Sequence, residues 1–328
     1  MVLLVIVVLV ALAFDFTNGF HDSANAIATS VSTRALSPRL ALLMAALLNM
    51  AGAFTGQKVA QTVGKGIVTL PADSQTVVLA ALIGAICWNL ITWYFGLPSS
   101  SSHALIGGLI GATLVAVGTS GVNWKGVWDK VIIPMIGSPI IGFAVALAIM
   151  NVLLLIVHRW SPRPVNRTFR LIQPISAGAV AFAHGSNDAQ KTMGIITLAL
   201  VTSGHLSETA PIPDWVIVLA ATAMAAGTYF GGWRIIHTLG TKVIKLDPIH
   251  GFAAETSAAT VIYGAAHFGF PISTTQTITA SIMGAGATGG LSAVKWGVAG
   301  NIAWAWVLTL PAAAGVAALV YLPLHAII

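Results

Sequence analysis

The sequence predicts an all-α polytopic membrane protein, and three observations carry that prediction. Hydrophobic residues make up 57% of the 328-residue chain and charged residues 7%, with a mean hydropathy of +0.90. A soluble domain carries roughly 25% charged residues, so there is too little polar surface here to face water. Apolar runs close to the ~20 residues that span a bilayer recur along the whole length. Finally, two polar, glycine-marked motifs interrupt these runs, and each returns in the second half. Asn18-Gly19-Phe20-His21-Asp22-Ser23-Ala24-Asn25 is echoed by His184-Gly185-Ser186-Asn187-Asp188-Ala189-Gln190-Lys191. Gly96-Leu97-Pro98-Ser99-Ser100-Ser101-Ser102 is echoed by Gly269-Phe270-Pro271-Ile272-Ser273-Thr274-Thr275.

In chain order the apolar segments are 2–33, 38–57, 76–95, 99–119 and 131–157, then 171–204, 214–236, 251–268, 272–289 and 296–321. That makes about ten membrane segments, five on each side of a basic stretch at 158–170. This stretch holds Arg159, Arg163, Arg167 and Arg170, and its Pro162 and Pro164 argue against a continuous helix. It reads as a linker between a first repeat, 1–157, and a second, 171–328. Segments 2–33 and 171–204 are long for one straight span at about 1.5 Å per residue. Each carries its polar motif internally, so each is expected to be a broken helix or a re-entrant hairpin. Met1 to Phe16 lacks a basic leading region and a clear cleavage site, and reads as mature structure.

Charge placement orients the segments. With the four-Arg linker in the cytoplasm, ten Lys and Arg fall inside and Lys58, Lys65, Lys125 and Lys130 outside, leaving Lys191 within a span. Both termini then lie outside. Because each half has an odd number of spans, the halves point in opposite directions, which is an inverted repeat. A single cysteine, Cys87, excludes an internal disulfide and a cysteine-based metal cluster. The basic residues are scattered over short loops without a stripe of exposed aromatics, which argues against nucleic-acid binding.

The interruptions carry the chemistry. Asp22 and Asp188 sit deep in apolar sequence, where an ionised side chain is costly and marks function. Gly19 and Gly185 would let the backbone leave the helix and expose groups that bind ions. Asn25 and Asn187 add neutral donors and acceptors. The plain alternative is a pair of kinked helices whose aspartates cap the following half-helix. In the second pair, Ser100, Ser101, Ser102, Ser273, Thr274 and Thr275 follow a proline and open an apolar helix. Hydroxyls and free N–H groups at a helix N-terminus suit an oxyanion, although plain capping would look the same. Carboxylates beside an anion need a cation or proton between them, so the expected cargo is an oxyanion with a coupling cation. Matched interruptions in two halves are the sequence mark of an inverted-repeat secondary transporter.

Gly19-Phe20-His21-Asp22-Ser23-Ala24-Asn25-Ala26 and Gly185-Ser186-Asn187-Asp188-Ala189-Gln190-Lys191-Thr192-Met193-Gly194 resemble the paired signatures of the inorganic phosphate transporter (PiT) family. The serine runs and Glu255-Thr256-Ser257-Ala258-Ala259 match as well. The resemblance covers essentially the whole chain. It implies a secondary transporter of inorganic phosphate in the plasma (inner) membrane, with arsenate as an analogue, and a homodimer. It places Asp22, Asn25 and Asp188 in the ion and substrate site, with Ser101, Ser102, Thr274 and Thr275 around phosphate. Sodium-coupled relatives carry Asn-Asp-Val-Ala-Asn in both halves, whereas here Lys191 replaces the second neutral Asn. A fixed ammonium there could supply the charge of a second sodium. The variant resembles the bacterial low-affinity type, which implies proton coupling and phosphate carried free or with a divalent metal; sodium is the alternative ion. Asp22 and Asp188 would then serve as cation or metal–phosphate ligands.

Other residues have two readings each. His21 and His184 are proton relays or packing groups. His103 corresponds to Gln276, which favours hydrogen bonding over titration. Glu255 joins the coupling-ion candidates as an intramembrane acid. Lys191 either binds substrate or pairs with Asp188. Asp15 is expected to line an access path. A channel would reuse the same polar tips, and a sulfate permease the same anion logic. An enzyme is disfavoured, since the chain has no nucleotide motif or metal-ligand cluster, and no cofactor beyond the coupling ion is expected.

Overall fold

A computed structural model describes residues 1–327. Among them there is no β-strand. The first half runs α1 (Val2–Ser32), α2 (Pro38–Ala53), α3 (Lys58–Lys65), α4 (Gln75–Phe95), α5 (Ser101–Ala116) and α6 (Trp124–Val127). A π-helical turn, Trp128–Ile132, joins α6 to α7 (Ile133–Val157). The second half runs α8 (Pro162–Thr202), α9 (Asp214–Phe230), α10 (Trp233–His237) with its own π-turn Thr238–Lys242, α11 (Pro248–Phe268), α12 (Thr274–Gly286) and α13 (Trp296–Ile327). The order is therefore the same twice: a long helix, a bent pair, a 21-residue helix, a short helix and a long helix.

Two expectations are corrected. Neither polar motif of the first pair breaks its helix: α1 is continuous over 31 residues and α8 over 41. Gly19 and Gly185 therefore do not release the backbone. They let helices cross closely instead. A Cβ on Gly19 would lie 2.3 Å from the Met224 carbonyl oxygen of α9, and one on Gly185 would lie 2.0 Å from that of Asn49 on α2. Small residues at such crossings are the usual means of bringing membrane helices together. Nor is 158–170 a non-helical linker, because α8 already starts at Pro162. Pro162 occupies the first helical turn, where its missing N–H has no intrahelical acceptor to lose, and Pro164 is tolerated for the same reason.

The chain does break at the second motif pair. Helix α4 ends on Gly96 (φ 65°) and α11 on Gly269 (φ 78°), both in the left-handed conformation that closes a helix and that glycine adopts without strain. Five residues after each glycine, α5 and α12 begin. At 16 and 13 residues they are too short to cross the ~30 Å apolar layer alone, at about 1.5 Å per residue. By length and composition four helices can cross a membrane, or six if each bent pair (73° and 60°) is one span.

The halves interlock through matched contacts. Helix α1 packs on α9 as α8 packs on α2, α5 on α13 as α12 on α7, and α4 on α13 as α11 on α7. Two apolar clusters result. One includes Phe14, Val63, Leu82, Leu105 and Met193, the other Ile27, Leu42, Met150, Val180 and Ile282. Each cluster takes opposite ends of α1 and α8. The outer faces of α7 and α13 are apolar and exposed at Ile140, Leu155, Trp304 and Leu319, while Asp22, Asp188 and Lys191 are buried. Polar inside and apolar outside is the arrangement lipid demands.

Candidate functional site

The middles of α1 and α8 meet the N-termini of α5 and α12 between the two apolar clusters. On α1, Asn18, Asp22 and Asn25 recur at helical spacing and share a face. Asp22 accepts a hydrogen bond from Ser101 Oγ at 2.7 Å and one from Thr275 Oγ1 at 3.2 Å. Ser101 also lies 2.6 Å from Asn18 Oδ1, so one hydroxyl proton is shared between two acceptors. Asn25 donates to Thr274 and Thr275 at 3.2 and 2.9 Å. The first half's helix thus reads hydroxyls from the tips of both halves.

On α8 the partners differ. Lys191 donates to Asp188 Oδ1 at 2.6 Å, to the Ile272 carbonyl at 3.0 Å and to Ser102 Oγ. An ammonium has three protons, so its donors are fully used. The ion pair with Asp188, one of the two roles expected for Lys191, is present. Asn187 donates to the Phe270 carbonyl at 3.0 Å and ties α8 to the second turn.

Two histidines adjoin the aspartates, and His184 lies between both. His21 Nδ1 lies 2.6 Å from Asp22 Oδ1 and its Nε2 lies 3.1 Å from Thr92 Oγ1. His184 Nδ1 lies 2.9 Å from Asn49 Oδ1, whose amide nitrogen donates to Thr228, so Nδ1 is the protonated nitrogen. His184 Nε2 faces Asp188 Oδ2 at 3.5 Å and Asp22 Oδ2 at 4.0 Å. One atom from each of Asp22, His184 and Asp188 lies within 4.8 Å of the others, and all three residues are buried. Two carboxylates and an imidazole nitrogen in this spacing suit a cation, and Asn49 orients the imidazole from behind.

The two tips meet each other. Ser102 Oγ donates to the Ile272 carbonyl at 3.2 Å, and Gln276 Nε2 lies 3.4 Å from His103 Nδ1. His103 and Gln276 are equivalent positions, so their contact marks where the halves face one another. Ser100 and Ser273 have a capping role in this arrangement. Their hydroxyls accept from the backbone N–H groups of His103 and Gln276, both at 3.2 Å, and cap α5 and α12. Ser101, Ser102, Thr274 and Thr275, in the first turn of each helix, face α1 and α8.

Glu255 is not in direct contact with these groups. It accepts from Thr29 and Ser176, each at 2.5 Å, and from Gln173 at 3.1 Å, in a buried cluster of its own. Thr29 lies one helical turn beyond Asn25 on α1, so the cluster adjoins the site through that helix. Sequence reasoning missed Asn18, Asn49, Thr29, Gln173 and Ser176. Only Asn18 left a signal, four residues before Asp22 on the same helical face. The other partners come from elements whose crossing angles no local pattern encodes. Ser186 and Gln190, which flank Asp188 on α8, line a cavity of about 250 Å³ with Thr55, Lys58 and His267.

Residues 18–317 match the family described as the phosphate transporter family. A protein of Rhizobium meliloti (strain 1021), described as a probable low-affinity inorganic phosphate transporter, is 50% identical over 97% of this chain and 96% of its own length. A Bacillus subtilis (strain 168) protein with the same description is 47% identical over 100% of this chain and 98% of its own. A solved structure, "The sodium-dependent phosphate transporter", superposes with a TM-score of 0.92 at 28% identity, covering 100% of both chains. The same residues that build the buried site lie inside the matched region, and the chain belongs to the phosphate transporter family.

Proposed function

We propose that the protein imports inorganic phosphate through the membrane by cation symport, with alternating access around the buried site. One observation carries this reading: the N-termini of α5 and α12 bring hydroxyls from both halves to a pair of buried aspartates. Helix N-termini and hydroxyls favour an oxyanion, and carboxylates oppose one unless a cation intervenes. Ser101, Ser102, Thr274 and Thr275 bind the phosphate oxygens. Asp22, His184 and Asp188 hold the accompanying cation, which is a coupling ion or a divalent metal carried with phosphate. Lys191 neutralises Asp188 and leaves a site that needs fewer mobile cations than one with two neutral amides.

In this reading the ten segments form an inverted repeat, with both termini outside and the 158–170 region in the cytoplasm. The matched contacts between halves are the surfaces on which one half would rock against the other in alternating access. The favoured coupling ion is the proton, because the ammonium of Lys191 stands where a neutral residue would leave room for sodium. Purified protein in proteoliposomes should accumulate radiolabelled phosphate under an inward pH gradient without sodium, with arsenate competing. Accumulation that appears only on adding sodium would transfer the coupling role to that ion. Saturable counterflow distinguishes a carrier from a channel.

A further inference from the structure

Asp15 has no place in the site described above, yet it is among the most deeply buried charged residues of the chain. Its exposure is 0%, and neither carboxylate oxygen has a hydrogen-bond partner among the described residues. It lies seven residues before Asp22, two turns along the same face of α1, with Asn18 between them. On α8, Asp188, Lys191 and Thr192 share a face in the same way. Asp22 lies beside His184, and the residue before Asp15, Phe14, shares an apolar cluster with the residue after Thr192, Met193. Thr192 and Asn18 are within reach of the Asp15 carboxyl without forming a hydrogen bond of normal geometry. The two polar rows therefore run antiparallel, and Asp15 with Thr192 closes one end.

Thr192 is anomalous as well. Threonines within these helices usually donate to the carbonyl four residues back, as Thr197 does to Met193 and Thr279 to Thr275. Thr192 is fully buried and its hydroxyl has no partner. Lys191 cannot serve Asp15, because its three protons go to Asp188, Ser102 and Ile272. Helices α4 and α9, which also pack on α1, bring no cation to it. Helix α4 has no charged residue, and α9 has only Asp214 at its start. A buried carboxylate without donors is tolerated only when a bound cation or a proton neutralises it. An orphan hydroxyl beside it supplies a further oxygen ligand.

We propose that Asp15 and Thr192 form a second cation site, separate from the Asp22–His184–Asp188 triad, for a small monovalent cation carried with the substrate. The shared chemistry is charge neutralisation of one carboxylate, by a proton or by a sodium ion. The site has no counterpart in the repeat: by the step that relates Asp22 to Asp188, Asp15 corresponds to Ala181 and Thr192 to Ala26. It is thus an asymmetric addition, like Lys191, and the two added charges have opposite sign. Lys191 replaces one mobile cation with a fixed one, and Asp15 restores a requirement for a mobile one. This inference rests on the transport reading, and the experiment below separates their failures.

Asp15→Asn, Asp15→Glu and Thr192→Val are purified and reconstituted beside the wild type. Phosphate counterflow, which needs no net coupling, should stay within about twofold of wild type in Asp15→Asn. Gradient-driven accumulation should fall to simple equilibration in that variant, weaken in Thr192→Val and return in Asp15→Glu. Driving uptake with a pH gradient in sodium-free buffer, or with a sodium gradient at matched pH, identifies which cation the site takes. A second readout avoids transport: proton uptake, or sodium-dependent thermal stabilisation, of detergent-purified protein without phosphate should diminish in Asp15→Asn. Undiminished accumulation in Asp15→Asn, or loss of counterflow together with accumulation, would overturn the proposal. Absence of counterflow in the wild type would instead defeat the transport reading, and the cation-binding measurement would still judge Asp15.

Discussion

The two polar rows of α1 and α8 occupy equivalent places in the repeat but solve different electrostatic problems. On α1, Asp22 is surrounded by neutral hydrogen-bond partners, Ser101 and Thr275, with His21 alongside. On α8, Asp188 has a full ammonium at 2.6 Å and one oxygen without a hydrogen-bond partner. The same backbone scaffold therefore holds one carboxylate whose charge is open to a mobile cation and one whose charge is already met. An evolving repeat can keep its geometry and change its ion requirement with one side chain, because Asn25 and Lys191 stand at matched positions and both reach the facing tip residues.

The largest test of this contrast is neutralisation of each aspartate. Asp22→Asn should lower phosphate uptake by about a hundredfold or more, since charged, buried hydrogen bonds are worth up to about 3 kcal/mol. Asp188→Asn should abolish uptake too, but it leaves Lys191 as an unpaired buried charge, so it should also lower thermal stability more than Asp22→Asn. Equal stability in the two variants, read from thermal unfolding in detergent, would show that the ion pair does not distinguish the halves.

A smaller effect is expected when the halves are made alike. Lys191→Asn should reduce uptake about tenfold, because the amide keeps a donor for Asp188 but loses the charge. The remaining uptake should then respond to sodium, as the fixed cation is gone. Uptake that stays indifferent to sodium would break the link between Lys191 and the coupling ion. The smallest effects belong to the caps. Ser100→Ala and Ser273→Ala should each cost about 1 kcal/mol of stability and leave phosphate affinity nearly unchanged. If either raised the concentration for half-maximal uptake as strongly as Ser101→Ala, the division between capping and binding hydroxyls would be wrong.

Much of the architecture was legible in the chain. The helix ends lie within a few residues of most segment boundaries read from apolar runs, and the left-handed Gly96 and Gly269 stand where glycine followed by proline announced a turn. Asp22, Asp188 and the hydroxyl tips stood out because polar residues in apolar surroundings are costly. The apparent breaks at Gly19 and Gly185 misled for an instructive reason. Glycine signals both a backbone that turns and a backbone closely approached by another, and only the position of the neighbouring helix tells them apart.

By itself, then, the sequence determined that this is a membrane-embedded, all-helical chain with a twice-used order of elements, and which residue types sit at depth. Composition and periodicity fix those properties locally. Only the tertiary structure decided that α1 and α8 pass unbroken, that Ser100 and Ser273 cap while Ser101 and Thr275 reach Asp22, and that Glu255 sits apart with Thr29, Gln173 and Ser176. The same holds for Asp15, whose sequence surroundings are unremarkable in type but whose carboxylate ends with no donor. Hydrogen-bond satisfaction is a property of which helices meet and at what height, and that is set by packing between residues 79 to 253 positions apart in the chain.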